Sequence, residues 1–377
     1  MKYYIIAGEA SGDLHASNLM KALKKEDADT QFRMWGGDLM EEVGGTLVKH
    51  YRELAFMGFS EVVMNLGTIL NNFKVCKADV LKYHPDVLIL VDYPGFNLRI
   101  AKWAKQQGIK VFYYISPQIW AWNSRRVHGI KKNIDKMFVI LPFEKDFYKK
   151  YDYNVEFVGH PLLDVVAEKD LDSSFRSKYN LSEKPIVALL PGSRKQEISK
   201  MLKGMLSVVK DFPDYQFVIA GAPSITLDFY KSTFHSIENQ QVKIIQNNTY
   251  ELLQHSSAAL VTSGTATLET ALFNVPQVVC YKGSPISYQI AKRVINVKYI
   301  SLVNLIVDYE IVKELIQSEF NHENLKTELK KLLDAQTVQP VLDGYLLLKE
   351  KLGNAGASKK AAKKMVELLE MKTILRK

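Results

Sequence analysis

The sequence predicts an α/β protein built from two Rossmann-like domains with a helical C-terminal tail, and three observations carry that prediction. Short β-branched or aromatic runs alternate with helix-length amphipathic segments from residue 3 to about residue 300, which is the pattern of parallel sheets covered by helices. The alternation lapses once, between His160-Pro161-Leu162-Leu163-Asp164 and Lys184-Pro185, and then resumes. At 377 residues the chain exceeds one ordinary core and suits two, facing each other across a cleft that a ligand can occupy.

In the first half, strands are expected near residues 3–7, 31–35, 87–91, 111–115, 136–140 and 155–158, with helices near 14–25, 60–80 and 97–107. The second series runs through Ile186 to Leu190, Phe217 to Ala220, Val242 to Ile245, Ala258 to Val261 and Gln277 to Tyr281. From about Asp308 the apolar spacing, in Ile311, Leu315, Leu325 and Leu329, reads as helical only. The expected division is therefore 1–165, 166–340 and a basic helical piece over 341–377.

A hydrophobic content of 47% with 24% charged residues excludes a disordered chain, which could not bury that much surface. Cys76 and Cys280 lie far apart in the sequence and match no metal or redox spacing, so both are expected as reduced thiols of a cytoplasmic protein. The apolar run after Met1-Lys2 is too short for a secretion signal, and no uncharged run is apolar enough to span a bilayer, so membrane contact is expected to be peripheral. Of the net charge of +9, residues 346–377 supply +6. A basic tail of that kind suits an anionic lipid surface or nucleic acid, or is simply a solvated helix face.

Two segments look built to hold phosphate. Leu189-Leu190-Pro191-Gly192-Ser193-Arg194 ends a strand in a Pro-Gly turn before a helix, which aims backbone N–H groups, the Ser193 hydroxyl and a positive helix end at one place, and Arg194 adds a guanidinium fork. Val261-Thr262-Ser263-Gly264-Thr265-Ala266-Thr267-Leu268-Glu269 repeats the arrangement. Two such turns in one domain suggest a pyrophosphate, with Glu269 one turn into the helix and placed to accept ribose hydroxyls. An ordinary turn, and a favourable charge near a helix N-terminus, are the competing readings.

The acids of the first domain suggest a different partner. Gly8-Glu9-Ala10-Ser11-Gly12-Asp13 follows the first strand, and its carboxylates would repel a pyrophosphate but suit an uncharged sugar acceptor, although Asp13 could simply cap the helix. Asp92 ends the strand Val87 to Val91 before Tyr93-Pro94-Gly95, a turn expected to delay the next helix, and is placed as a general base for a hydroxyl nucleophile. Glu9 and Asp13 are the alternative bases. Asp27-Ala28-Asp29 matches a D-x-D metal pattern, but it lies in a charged stretch after a helix and reads as a hydrophilic helix end. No metal is expected.

The segment 56–78 puts Phe59, Val62, Val63, Leu66, Ile69, Leu70 and Phe73 on one broad helical face, followed by Lys74 and Lys77. Such a face either packs in a core or lies in a lipid headgroup layer.

Taken together, AGEASGDLHA (Ala7 to Ala16), YISPQIWAW (Tyr114 to Trp122), VGHP (Val158 to Pro161), LLPGSR, SGTATLE and Ser301-Leu302-Val303-Asn304-Leu305 resemble the lipid A disaccharide synthase family of Gram-negative bacteria, from residue 3 to beyond 330. The resemblance implies a GT-B architecture and an inverting transferase that needs no metal or other cofactor. It implies UDP-2,3-diacylglucosamine as donor, 2,3-diacylglucosamine 1-phosphate as acceptor through its 6-hydroxyl, and release of UDP. Gly192, Ser193, Arg194, Ser263, Gly264, Thr265 and Glu269 fall on the UDP side. Asn304 falls near the nucleotide in a C-terminally exchanged homodimer, and Met57 to Phe73 on the acyl and membrane contact. Many members carry a second acid where this chain has Gly95. Cytoplasmic membrane lipids are implied as a partner at the inner face of the inner membrane, and nucleic acid is not. Three other readings compete: a peptidoglycan-precursor N-acetylglucosaminyltransferase, a UDP-N-acetylglucosamine epimerase, and a non-catalytic lipid-binding protein of the membrane surface.

Overall fold

The computed structural model describes residues 1–54, 66–167, 171–233, 241–284, 288–289, 293 and 297–374. The chain forms two compact units, Met1–Asp164 together with Asn354–Lys377, and Val165–Gly353.

In the first unit, strands β1 (Lys2–Ala7), β2 (Gln31–Gly36), β3 (Thr46–His50), β4 (Val87–Val91), β5 (Val111–Tyr114), β6 (Lys136–Val139) and β7 (Glu156–Phe157) form one sheet in the order β3-β2-β1-β4-β5-β6-β7. Every pairing is parallel. In the second unit, β8 (Ile186–Leu190), β9 (Gln216–Gly221), β10 (Val242–Gln246), β11 (Ser256–Thr262), β12 (Gln277–Tyr281) and β13 (Lys313–Ile316) form a second parallel sheet in the order β10-β9-β8-β11-β12-β13. The sheets are buried on both faces, which is why their strands read as continuous apolar runs. Along β8, Val187 and Leu189 enter one core cluster, while Ile186, Ala188 and Leu190 enter another.

Three expectations are corrected here. The stretch after Asp308 is not helical throughout, because Lys313–Ile316 is a strand pairing with β12. Its four residues are too few to show a period of two, and the spacing of Ile311 and Leu315 imitates one helix turn. The turn after Asp92 does not delay the helix, which starts at Pro94, since proline at the first helical position gives up an N–H that has no partner anyway. The basic C-terminal segment is not one piece. Helix Gln339–Leu352 stays with the second unit, and beyond Gly353 the chain returns to the first. There helix Ala357–Ile374 buries Ala357, Ala361, Ala362, Met365 and Leu369, packs along helix Ala10–Glu26, and exposes Lys359, Lys360 and Lys363. Its first amides, those of Gly356, Ala357 and Ser358, donate to the Asp164 carboxylate.

Candidate active site

Each sheet reverses its strand order once, at β1/β4 in the first unit and at β8/β11 in the second. In open parallel sheets the loops splay apart at such a point, leaving a crevice at the carboxyl ends of the strands where ligands bind. The motifs singled out in the sequence sit at these two points.

In the first unit Ala7 pairs with Val91, so Gly8-Glu9 and Asp92-Tyr93 leave the sheet side by side. Gly8 lies so close to Tyr93 that a Cβ would stand 2.3 Å from its ring. Glu9 precedes helix Ala10–Glu26 without capping it through its side chain. Asp92 is half-buried, and its carboxyl is pushed up to about 6, first by burial and then by the charge of Glu9, against the opposing pull of the Tyr93 backbone N–H. A carboxylate that titrates near neutrality at a ligand crevice is suited to take a proton from a hydroxyl.

Asp13 is corrected as a candidate base. Its carboxylate is buried and accepts from Gly37 N at 2.7 Å, Leu39 N at 3.1 Å and Met40 N at 3.2 Å. It therefore caps helix Asp38–Val43 across a crossover rather than capping its own helix. Asp27 of the D-x-D is likewise engaged, accepting from the N-terminal ammonium at 2.9 Å and from the Tyr3 hydroxyl at 3.0 Å. Gly95 is exposed, with nothing within 4 Å of a would-be Cβ, so the second acid of the family pattern would meet no steric bar.

In the second unit, Gly192 has a φ of +110°, and a Cβ there would meet the Glu197 carboxylate at 2.2 Å, so only glycine fits. Glu197 reaches back from the third position of helix Lys195–Leu206 to accept from Ser193 N at 3.1 Å. That contact, signalled by the glutamate three residues after the cap, was not anticipated, and it occupies one amide of the expected phosphate cradle. The Ser193 hydroxyl and the exposed Arg194, which makes no ion pair among the described residues, supply the remaining donors.

Beside them, after β11, the Ser263 hydroxyl donates to Ile300 O at 2.8 Å, whereas Gly264 and Thr265 are exposed at the start of helix Thr265–Leu272. Glu269 lies one turn into that helix, half-buried, its carboxyl pushed up to about 7 by burial alone. Its environment favours a neutral partner that donates hydrogen bonds.

Asn304 is corrected as a nucleotide contact. It is fully buried, its Nδ2 donates to Val312 O and Glu314 Oε1, both at 2.9 Å, and its Oδ1 accepts from Ile311 N at 2.8 Å and Val312 N at 3.0 Å. The whole amide is spent on its own unit.

Of the apolar face, Met57, Phe59, Val62 and Val63 lie outside the described residues, as does the side chain of Leu66. In helix Leu66–Tyr83, Leu70 is 54% exposed and Ile69 is half-buried. Phe73 turns inward, stacked on Phe96 with centroids 4.4 Å apart, and is corrected as a membrane contact.

The family profile described as lipid-A-disaccharide synthetase matches residues 3–365. The lipid-A-disaccharide synthase of Geobacter sulfurreducens is 37% identical over 371 residues, covering 97% of this chain and 96% of that protein. The protein of the same name from Syntrophus aciditrophicus is 38% identical over 372 residues, 97% of each. Among solved structures, UDP-GlcNAc 2-epimerase from Neisseria meningitidis bound to UDP-GlcNAc superposes with a TM-score of 0.67 at 13% identity, over 97% of this chain and 100% of that one. The glycosyltransferase of kitacinnamycin gives 0.67 at 14% identity, over 98% of each chain. These two likenesses show the GT-B fold alone, and it is the sequence matches that separate the epimerase reading from the transferase one. The chain belongs to the lipid-A-disaccharide synthetase family.

Proposed function

We propose that the protein works as its family does, as an inverting glycosyltransferase that moves 2,3-diacylglucosamine from UDP-2,3-diacylglucosamine to the 6-hydroxyl of 2,3-diacylglucosamine 1-phosphate and releases UDP. The family match carries the identity of the reaction, and the Asp92 carboxyl, at the switch point of the first sheet and pushed up to about 6, supplies its base. It takes the proton as the acceptor oxygen attacks C1 from the face opposite UDP, which inverts the anomeric centre. Arg194 and the helix N-termini after β8 and β11 receive the diphosphate charge as the bond to C1 breaks, and the Glu269 carboxyl accepts from ribose hydroxyls. Solved neighbours of the same fold are described as bound to UDP-GlcNAc or UDP, in keeping with that assignment.

Those positive groups do the work a metal would do, so we propose that the reaction needs none. No described helix is long and apolar enough to cross a membrane. We place the protein at the cytoplasmic face of the inner membrane, where diacylated substrates reside, with the exposed lysines of the Ala357–Ile374 helix against anionic headgroups.

One experiment tests the whole reading: UDP release with diacylated and unacylated acceptors, presented in phospholipid vesicles, with and without EDTA. The expected result is release with the diacylated acceptor only, unaffected by EDTA, and sedimentation of the protein with the vesicles. Equal release with an unacylated acceptor, or loss that magnesium restores, would overturn the corresponding part.

Arg194→Ala should weaken UDP binding by about 1.5–3 kcal/mol, the worth of one charged hydrogen-bond partner. Unchanged affinity in a calorimetric titration would remove Arg194 from the site.

A further inference from the structure

The backbone around Asp92 is strained and clamped. Asp92 and Tyr93 have φ values of +45° and +47°, and in the neighbouring strand the residue after β5, Ile115, has φ +67°. Non-glycine residues rarely enter this region, and a β-branched one there is an outlier that surrounding contacts must hold in place. Those contacts are present. Asp92 N donates to Tyr114 O at 3.1 Å, and Ile115 N donates to Phe138 O at 3.0 Å, which ties the strand ends together.

The Asp92 carbonyl accepts two side-chain hydrogen bonds, one from the Tyr113 hydroxyl and one from Asn97 Nδ2 at 2.8 Å. The same Asn97 nitrogen lies 3.2 Å from Val91 O and 3.3 Å from Ile6 O, so one amide grips the ends of β4 and β1 and the first peptide of the loop that follows β4. Asn97 and Tyr113 are both fully buried. Among the described residues the Asn97 oxygen has no hydrogen-bond partner. Turning the amide over would set that oxygen against three carbonyls, so the orientation is fixed by the network even though an acceptor is left unsatisfied. A buried amide kept at that cost, at the one strained peptide that carries the candidate base, does something other than fill the core.

We propose that Asn97, with Tyr113, is a positioning residue for glycosyl transfer: it holds the Asp92 peptide in its left-handed conformation and so aims the carboxylate into the crevice beside Glu9. The inference rests on the transferase reading above. The groups that face the Asp92 carboxyl are Glu9 from the β1 loop, the Tyr93 N–H from its own loop and the Tyr113 side chain from β5. If the clamp is released, the peptide relaxes to an ordinary conformation, and the carboxylate swings toward water and away from Glu9.

The test uses Asn97→Ala and the milder Tyr113→Phe, which removes one donor and leaves no cavity. The expected result is a fall in kcat of about 10²-fold for Asn97→Ala, the scale of an ångström-sized misplacement, and of about tenfold for Tyr113→Phe, the share of one hydrogen bond. KM and UDP affinity should stay within about twofold of the parent. A second readout does not depend on turnover. The Asp92 carboxyl, followed by carbon-13 NMR in the full chain, should titrate near 6 in the parent and move toward the ordinary aspartate range in both variants. A lower melting temperature with an unmoved titration and unchanged kcat would show a structural hydrogen bond only and would overturn the proposal; if Asn97→Ala fails to fold, Tyr113→Phe decides alone. A parent protein that releases no UDP, yet shows the shifted titration in the variants, would instead overturn the transferase reading while leaving the clamp standing.

Discussion

Asp92→Asn should cut turnover by about 10²–10⁴-fold while leaving UDP affinity unchanged, because the amide keeps the shape and hydrogen bonding of the carboxylate but cannot accept a proton. In the parent protein the acid limb of kcat/KM should fall near pH 6, where the Asp92 carboxyl takes up its proton. The same substitution should act on stability with a definite sign. A carboxyl held near 6 in the folded state, against about 3.9 unfolded, is disfavoured in its charged form by up to about 3 kcal/mol. The folded chain binds the proton more tightly, so the penalty is absent below about pH 4, grows as pH rises through 6, and is complete above it. Asp92→Asn should therefore raise the melting temperature at pH 8, and the gain should vanish as pH falls toward 4. Near-normal turnover in a folded variant would rule Asp92 out as the base and pass the role to Glu9. A lower melting temperature at pH 8 with modest kinetic change would mark a structural aspartate.

The parts of this molecule that were readable in advance are those where a residue's chemistry and its place along the chain coincide. Asp92 directly follows an apolar strand, and a residue one step past a buried parallel strand stands at the ligand end of the sheet whatever the tertiary details. Gly192 and Arg194 follow β8 in the same way. Residues whose roles are set by partners distant in sequence were not readable. Asp13 has the spacing of a helix cap, yet its carboxylate serves amides 24 to 27 positions away. Asn97 stood at the start of an expected helix, and nothing local shows that its amide meets carbonyls from β1 and β4. Phe73 belonged to a helical apolar stripe, and periodicity gives the stripe without saying whether protein or lipid covers it. Glu269 was placed correctly on its helix, but that burial alone would push its carboxyl to about 7 follows only from packing.

Asn304→Ala should destabilise the protein by about 3–5 kcal/mol, because it strands several buried groups at once. Ile311 N and Val312 N lose their acceptor, and Val312 O loses its donor. Among the described residues the Glu314 carboxylate, itself buried, keeps only the amides of Ile300 and Ser301. These contacts pin helix Leu302–Val307 and the Ser301 cap that begins it onto the approach to β13, the short strand at the edge of the second sheet. Apolar truncation here removes an internal clip, not a ligand contact, so UDP affinity measured on the folded fraction should stay within about twofold of the parent. Chemical denaturation should show a lower midpoint with unchanged slope, as expected when stability falls without a change in the surface exposed on unfolding. The opposite pattern, a parent-like midpoint with UDP affinity lost, would return Asn304 to the nucleotide site and require that its amide give up partners it holds at 2.8 to 3.0 Å.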